Sequence, residues 1–204
     1  SRYRMQSKVI LTTTAILILL PALYFYFGEF RQGGFGTRIL LSLFQSVTPR
    51  TAGFNTADFS KLTEPGQMLT IILMLIGGSP GSTAGGMKTT TLAVLTATAV
   101  SVFRRNETPE LFKRRIAPET VANAASILMM YLSLCLTGAF LISRIEELPM
   151  MACMFETASA VGTVGLSFGI TPGLGSISRI ILIILMYLGR VGGLTLIYAA
   201  LSGH

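Results

Sequence analysis

The residues with the clearest chemical potential are Thr163, Val164, Gly165, Leu166 and Ser167, a short break between the apolar runs 150–161 and 177–201. The same pattern, threonine, any residue, glycine, a large apolar residue and a polar one, occurs 112 residues earlier as Thr51, Ala52, Gly53, Phe54 and Asn55. That copy also sits between two apolar runs. A single glycine-containing break is an ordinary loop; two at equivalent places suggest a shared task. The chemistry open to such a ribbon is ion coordination, with backbone carbonyl oxygens replacing the hydration shell of a cation. Glycine suits it because positive φ lets successive carbonyls turn toward one axis.

Four further features bear on an ion path. The run Gly77, Gly78, Ser79, Pro80, Gly81, Ser82, Thr83, Ala84, Gly85 and Gly86 interrupts an apolar stretch, and Lys88 follows closely. A phosphate-binding loop needs its lysine directly after the second glycine. Met87 intrudes here and no acidic metal-binding partner is evident, so nucleotide binding by this chain is not expected. Lys88 then reads either as part of a gate or as a side chain snorkelling to water. Arg190 lies mid-way through the run 177–201, a position that costs about 2.5 kcal/mol or more in a bilayer. By the 112-residue offset it stands level with Gly78, so it can clamp the carbonyls of 77–86, act in the pathway, or both. Arg50 can stabilise the mouth of the first ribbon or simply be solvated. Glu156, inside the short apolar run 150–161, is expected to support the second ribbon from behind.

The elements around these residues belong in a membrane. Charged residues make up 12% of the chain, half of the roughly 25% usual in soluble domains, and the mean hydropathy is +0.65. The runs 9–27, 68–76, 87–103, 121–142 and 177–201 contain only Lys88, Arg179 and Arg190 as charged residues. Residues 1–8 and 104–120 hold eight basic residues against three acids, whereas 28–66 and 144–179 hold six against six. The positive-inside rule therefore puts 1–8 and 104–120 in the cytoplasm of a multi-pass protein of the cell membrane, in contact with lipid. The net charge of +7 is explained by this asymmetry, and no nucleic-acid partner is expected. Cys135 and Cys153 form no CxxC pair, and the sole histidine is His204. A membrane enzyme would need paired aspartates or a serine–histidine or histidine-rich site; Asp58 is the only aspartate, so no catalytic residues are assigned.

In chain order, 9–27 is a spanning helix and 37–47 is too short to span, which suits a re-entrant pore helix. The first ribbon and an external loop follow, and Pro65 opens a helix broken at 77–86. Irregular backbone at membrane depth must line a cavity or lie within protein. Residues 118 to about 143 repeat the spanning helix, 149–161 the pore helix, and 177–201 the closing helix. The expected fold is all-α and integral to the membrane, with two tandem helix–pore-helix–helix repeats, 1–104 and 118–204, joined by a cytoplasmic linker at 105–117.

Four segments together, Thr48 to Asn55, Gly77 to Lys88, Ser159 to Ser167 and Gly189 to Gly193, closely resemble the Trk/Ktr/HKT superfamily of potassium transporters, in particular its KtrB-type membrane subunits. The resemblance covers essentially the whole chain. It implies four such potassium-channel-like repeats around one pore, of which this chain corresponds to the third and fourth, the C-terminal half. It implies potassium as the transported ion at filter carbonyls, leaving sodium open as a coupling or activating ion. Gly53 and Gly165 become filter glycines, 77–86 an intramembrane gating loop, and Arg190 the arginine beneath it. The partners implied are the remaining half of the pore subunit, a second pore subunit in a homodimer, and a cytoplasmic KtrA-type ring that binds the nucleotide. A non-conducting scaffold or assembly subunit is the competing reading, against which the two ribbons stand.

Overall fold

Proline, glycine and charge punctuate the chain into seven α-helices in the computed structural model, which describes residues 5–105, 110–111 and 114–191. They are α1 (Met5–Tyr24), α2 (Phe35–Val47), α3 (Glu64–Leu75), α4 (Thr89–Phe103), α5 (Pro118–Glu146), α6 (Met150–Val161) and α7 (Ser176–Val191). Among the described residues, two stretches, Gln6–Glu29 and Pro118–Glu146, are long and apolar enough to cross a membrane. At 1.5 Å per residue, α2 and α6 reach only about 20 Å, short of a hydrocarbon core of roughly 30 Å.

The helix boundaries follow local chemistry. Helix α1 does not stop before Gly28, as its glycine suggests, but widens into a π turn, Phe25–Glu29. The carbonyls near that turn are taken up by arginine: Arg38 donates to Phe30 (2.6 Å) and Tyr26 (3.0 Å), with its guanidinium 4.3 Å from the Tyr26 ring. Thr63 caps α3, and Pro65 occupies its first turn, where a missing N–H costs nothing. Helix α5 ends where Glu147 turns left-handed at φ 53°. The linker contains a two-residue antiparallel pairing, Glu110–Leu111 with Arg114–Arg115. Helix α7 is described to Val191; the expected continuation to 201, with Gly192 and Gly193, lies outside the described residues.

Helix α6 is the packing centre. From Phe155 to Val161 every residue is buried, and α6 packs against α3, α5 and α7. In lipid, burial of these residues stabilises through close packing rather than through the release of water. Close approach is made by small residues, as in other membrane helix contacts. A Cβ on Gly162 would overlap the Met74 carbonyl of α3, and one on Gly189 the Val161 carbonyl at the end of α6. Helix α2 packs instead on α1 and buries the polar side chains of Ser42, Gln45 and Ser46, leaving Leu40, Leu43 and Val47 exposed.

The break between α3 and α4 is more ordered than its composition suggests. Met87 N donates to Leu75 O (2.9 Å), Gly77 N to Met87 O (2.8 Å) and Thr89 N to Gly78 O (3.1 Å). These bonds zip the two ends of the loop together, with Ile76 and Met87 bridged in parallel. At the tip, Ser82 N and Oγ donate back to Ser79 O (3.1 and 2.6 Å), while the carbonyls of Ser82, Thr83 and Ala84 are open to other donors.

Candidate functional site

Each short helix ends at one of the two ribbons. The C-terminal end of a helix carries a partial negative charge of about half an electron, favourable for a cation beyond it. At the first ribbon, Ala52 N and Gly53 N donate to Thr48 O (3.2 and 3.0 Å), and Thr48 Oγ1 donates to Phe54 O (2.5 Å). At the second, Val164 N donates to Ser159 O (2.9 Å) and Gly165 N to Ser159 Oγ (3.1 Å).

The backbone of the two ribbons matches in an unusual way. Thr51 and Gly53 have φ of 67° and 72°, while Thr163 and Gly165 have 53° and 91°; Ala52 and Val164 between them are not left-handed. A regular strand alternates its carbonyls between its two edges, whereas alternation of left-handed and ordinary residues lets successive carbonyls share a side. For a β-branched threonine the left-handed region is a genuine outlier, costing about 1–3 kcal/mol, and such strain concentrates at functional sites. Both threonine hydroxyls, Thr51 Oγ1 and Thr163 Oγ1, are buried and without a hydrogen-bond partner among the described residues. The ribbons also touch. A Cβ on Gly53 would overlap the Val164 carbonyl oxygen, whereas one on Gly165 would meet nothing within 4 Å.

Glu156 braces the second ribbon. Its Oε1 accepts from Ser167 Oγ (2.7 Å) and Phe168 N (2.9 Å), and its Oε2 from Thr171 Oγ1 (2.6 Å). This carboxylate is 4% exposed, and burial is tolerable because three donors satisfy it. The corresponding place in α2 is Phe44, so the first ribbon relies on the Thr48 hydroxyl instead. Phe155 stacks on Phe168 with ring centres 4.0 Å apart and meets Phe59 at 5.4 Å, which ties the turn at Phe59–Lys61 to the exit of the second ribbon.

The glycine-rich loop reaches the second ribbon. A Cβ on Gly85 would overlap the Thr163 side chain. Two cations hold the tip: Arg190 Nη1 donates to Thr83 O (2.6 Å), and Lys88 Nζ donates to Ala84 O (2.5 Å) and Ser82 O (3.4 Å). The register argument thus brings Arg190 to the loop. Lys88 turns back onto the loop rather than running out to water alone. Arg190 also lines two cavities, one of about 460 Å³ beside Thr163, Val164 and Gly165, the other of about 500 Å³ beside Ser82, Thr83 and Tyr131.

Of the remaining expected residues, Arg50 makes no ribbon hydrogen bond among the described residues, and its buried Nε finds no partner among them. Phe54 is exposed while its counterpart Leu166 is buried. Asn55 accepts from Ala57 N (3.2 Å), an ordinary turn contact. Sequence reasoning missed the hydroxyls of Thr48 and Ser159. Their signal was present as a hydroxyl residue a few positions before each Thr-x-Gly.

Comparison with known proteins identifies the family and the fold. The family model described as TrkH, cation transport protein, matches residues 5–203. The chain is 39% identical to the potassium/sodium uptake protein NtpJ of Enterococcus hirae, with 97% of this chain and 46% of that protein covered. It is 34% identical to Ktr system potassium uptake protein B of Bacillus subtilis, with the same coverages. The chain therefore spans about half the length of the curated relatives it matches. The crystal structure of the potassium transporter TrkH from Vibrio parahaemolyticus superposes with a TM-score of 0.78 at 20% identity, covering 95% of this chain and 43% of that one, a likeness of fold. With strained ribbons at the ends of two short helices, and a family model matched nearly end to end, the chain belongs to the TrkH family of cation transport proteins.

Proposed function

We propose that this chain is half of a membrane pore subunit that passes potassium through a carbonyl-lined filter. The observation that carries the reading is the pair of touching ribbons with the same left-handed threonine and glycine. Carbonyls on a shared side can replace potassium's hydration shell, and the helix ends behind them add favourable potential. The unpaired hydroxyls of Thr51 and Thr163 supply further oxygen at the inner end of each ribbon. Residues 1–104 and 118–204 act as two of four repeats around one axis, and 105–117 joins them in the cytoplasm. The names of the relatives supply the ion: potassium in each, with sodium beside it in one.

The loop 77–86 is the gate in this reading. The contact of Gly85 with Thr163 and the hold of Arg190 on the tip support this role. A unit positive charge repels a potassium ion by about 4 kcal/mol at roughly 4 Å and an effective dielectric near 20, so the arginine also opposes entry while the loop is closed. Opening requires Arg190 to release Thr83. In the whole protein the partners are the other half of the pore, a second pore subunit and a cytoplasmic nucleotide-binding ring.

The reading is tested by purifying the full-length protein that contains this half, reconstituting it in liposomes and measuring potassium flux with sodium as competitor. A protein with this function carries potassium in preference to sodium. Folded protein with no flux of either ion would favour an assembly role.

A further inference from the structure

Two carboxylates outside the ribbons occupy corresponding places. Glu29, at the end of the π turn after α1, accepts from Thr63 N (3.1 Å) through Oε2 and from the Thr63 hydroxyl through Oε1. Glu146, the last residue of α5, accepts from Gly175 N (2.8 Å) and from Ser178 Oγ (2.5 Å), both through Oε1. Thr63 and Gly175 hold the same place, the residue immediately before α3 and before α7. In each repeat, then, a glutamate from the outer end of the first helix binds the first free N–H of the closing helix and one hydroxyl near it.

The hydroxyl and a glycine trade places between the repeats. In the first, threonine stands at the cap (Thr63) and glycine three residues on (Gly66). In the second, glycine stands at the cap (Gly175) and serine three residues on (Ser178). Each glycine is where the carboxylate lies. A Cβ on Gly66 would overlap Glu29 Oε1, and one on Gly175 would sit 2.9 Å from Glu146 Oε1. The bond also survives a change of register, because the two glutamates are 117 residues apart and the capped positions 112. A helix N-terminus welcomes any nearby carboxylate. It does not by itself require the reciprocal exchange of a hydroxyl and a glycine three residues away.

We infer that Glu29 and Glu146 are equivalent latches that close each repeat on its outer side and thereby position the ribbon held between the latched helices. Between Glu29 and Thr63 the chain contains only α2, the first ribbon and the external turn. Between Glu146 and Gly175 it contains only α6, the second ribbon and its exit turn. Each latch thus ties the two ends of a segment whose middle is the ribbon, and Arg38, bound to the carbonyls of Tyr26 and Phe30, adds a second tie from α2 to the first. The two glutamates are positioning residues, and their effect on ion choice rests on the filter reading above.

The test is a transplant in the full-length protein. T63G removes the hydroxyl from the first latch, and T63G/G66S rebuilds it in the arrangement of the second repeat. In reconstituted protein, T63G is expected to lower potassium preference over sodium by about tenfold, the equivalent of one charge-assisted hydrogen bond. T63G/G66S should recover most of it, and T63G should have little further effect in an E29Q background. Melting temperature, recorded for the same set, should show the same non-additivity between Glu29 and Thr63. Equal ion preference in T63G and T63G/G66S, or additive effects of E29Q and T63G on melting, would overturn the latch. Coupled melting temperatures in a parent without potassium preference would uphold the latch as a structural tie, overturn its role in ion choice and count against the filter.

Discussion

The α-carbon of Gly53 lies so close to the carbonyl of Val164 that no side chain fits between them. These residues lie 111 positions apart, and their contact joins the two ribbons side by side. Gly165, the counterpart of Gly53, faces open space at φ 91°. Two glycines in one motif are thus held by different constraints, conformation alone at Gly165 and conformation plus contact at Gly53.

Alanine should separate these constraints. Gly165→Ala is expected to cost about 1–2 kcal/mol, the penalty for a left-handed residue with a Cβ. Gly53→Ala should cost a further 1–3 kcal/mol or so from overpacking. Thermal or chemical unfolding of the full-length protein in detergent gives the ranking, and equal losses would contradict the contact.

Glu156 offers a second contrast. Glu156→Ala leaves the donors of Ser167, Phe168 and Thr171 without their acceptor and should destabilise by about 3 kcal/mol or more. Glu156→Gln keeps one oxygen and the side-chain shape, so its loss should be roughly half as large. Denaturant midpoints of the two variants check this, and a harmless alanine would remove the brace.

For the loop, Arg190→Gln should raise potassium flux in folded protein, because one of the tip's two cations is lost. Arg190→Lys should raise it less, since lysine keeps the charge without the planar fork. Lys88→Met should act in the same direction as Arg190→Gln. Uptake assays in liposomes decide the matter; folded Arg190→Gln with flux at or below the parent level would argue for a purely structural clamp.

The turn capped by Asp58 carries a pH dependence. Hydrogen bonds from the Ser60 side chain and backbone hold the Asp58 carboxyl below its ordinary value, with Lys61 adding a smaller pull. A group depressed on folding contributes stability above its unfolded pKa, and that contribution is lost as pH falls through the folded value. Asp58 is exposed, so the effect is small, but the turn it caps seats buried Phe59 against Phe155. Melting curves of the parent and Asp58→Asn should differ at neutral pH and converge as pH falls below the ordinary carboxylate range. A constant gap across that range would contradict the assignment.

Much of this site is legible in local sequence, because glycine, proline and threonine record what the backbone must do. The Thr-x-Gly repeats mark the ribbons, the run 77–86 marks the break in the helix, and the 112-residue offset brings Arg190 to the loop. The partners of charged side chains were less legible. Glu29 and Glu146 look like surface acids until folding brings α3 and α7 beside them, and Lys88 finds the Ala84 carbonyl only once the loop neck is zipped. The left-handed Thr51 and Thr163 run against the propensity of a β-branched residue, so composition pointed away from them. Such strain is set by the contacts around the ribbon rather than by the residue itself.

The central claim is that two touching ribbons select the ion. It is tested most directly by potassium-against-sodium competition in reconstituted full-length protein carrying Gly53→Ser or Gly165→Ser. The account predicts a weakened preference for potassium in both variants, with the larger loss at Gly53, where the side chain also presses on Val164. Unchanged competition in both, with intact protein and parental flux, would contradict it.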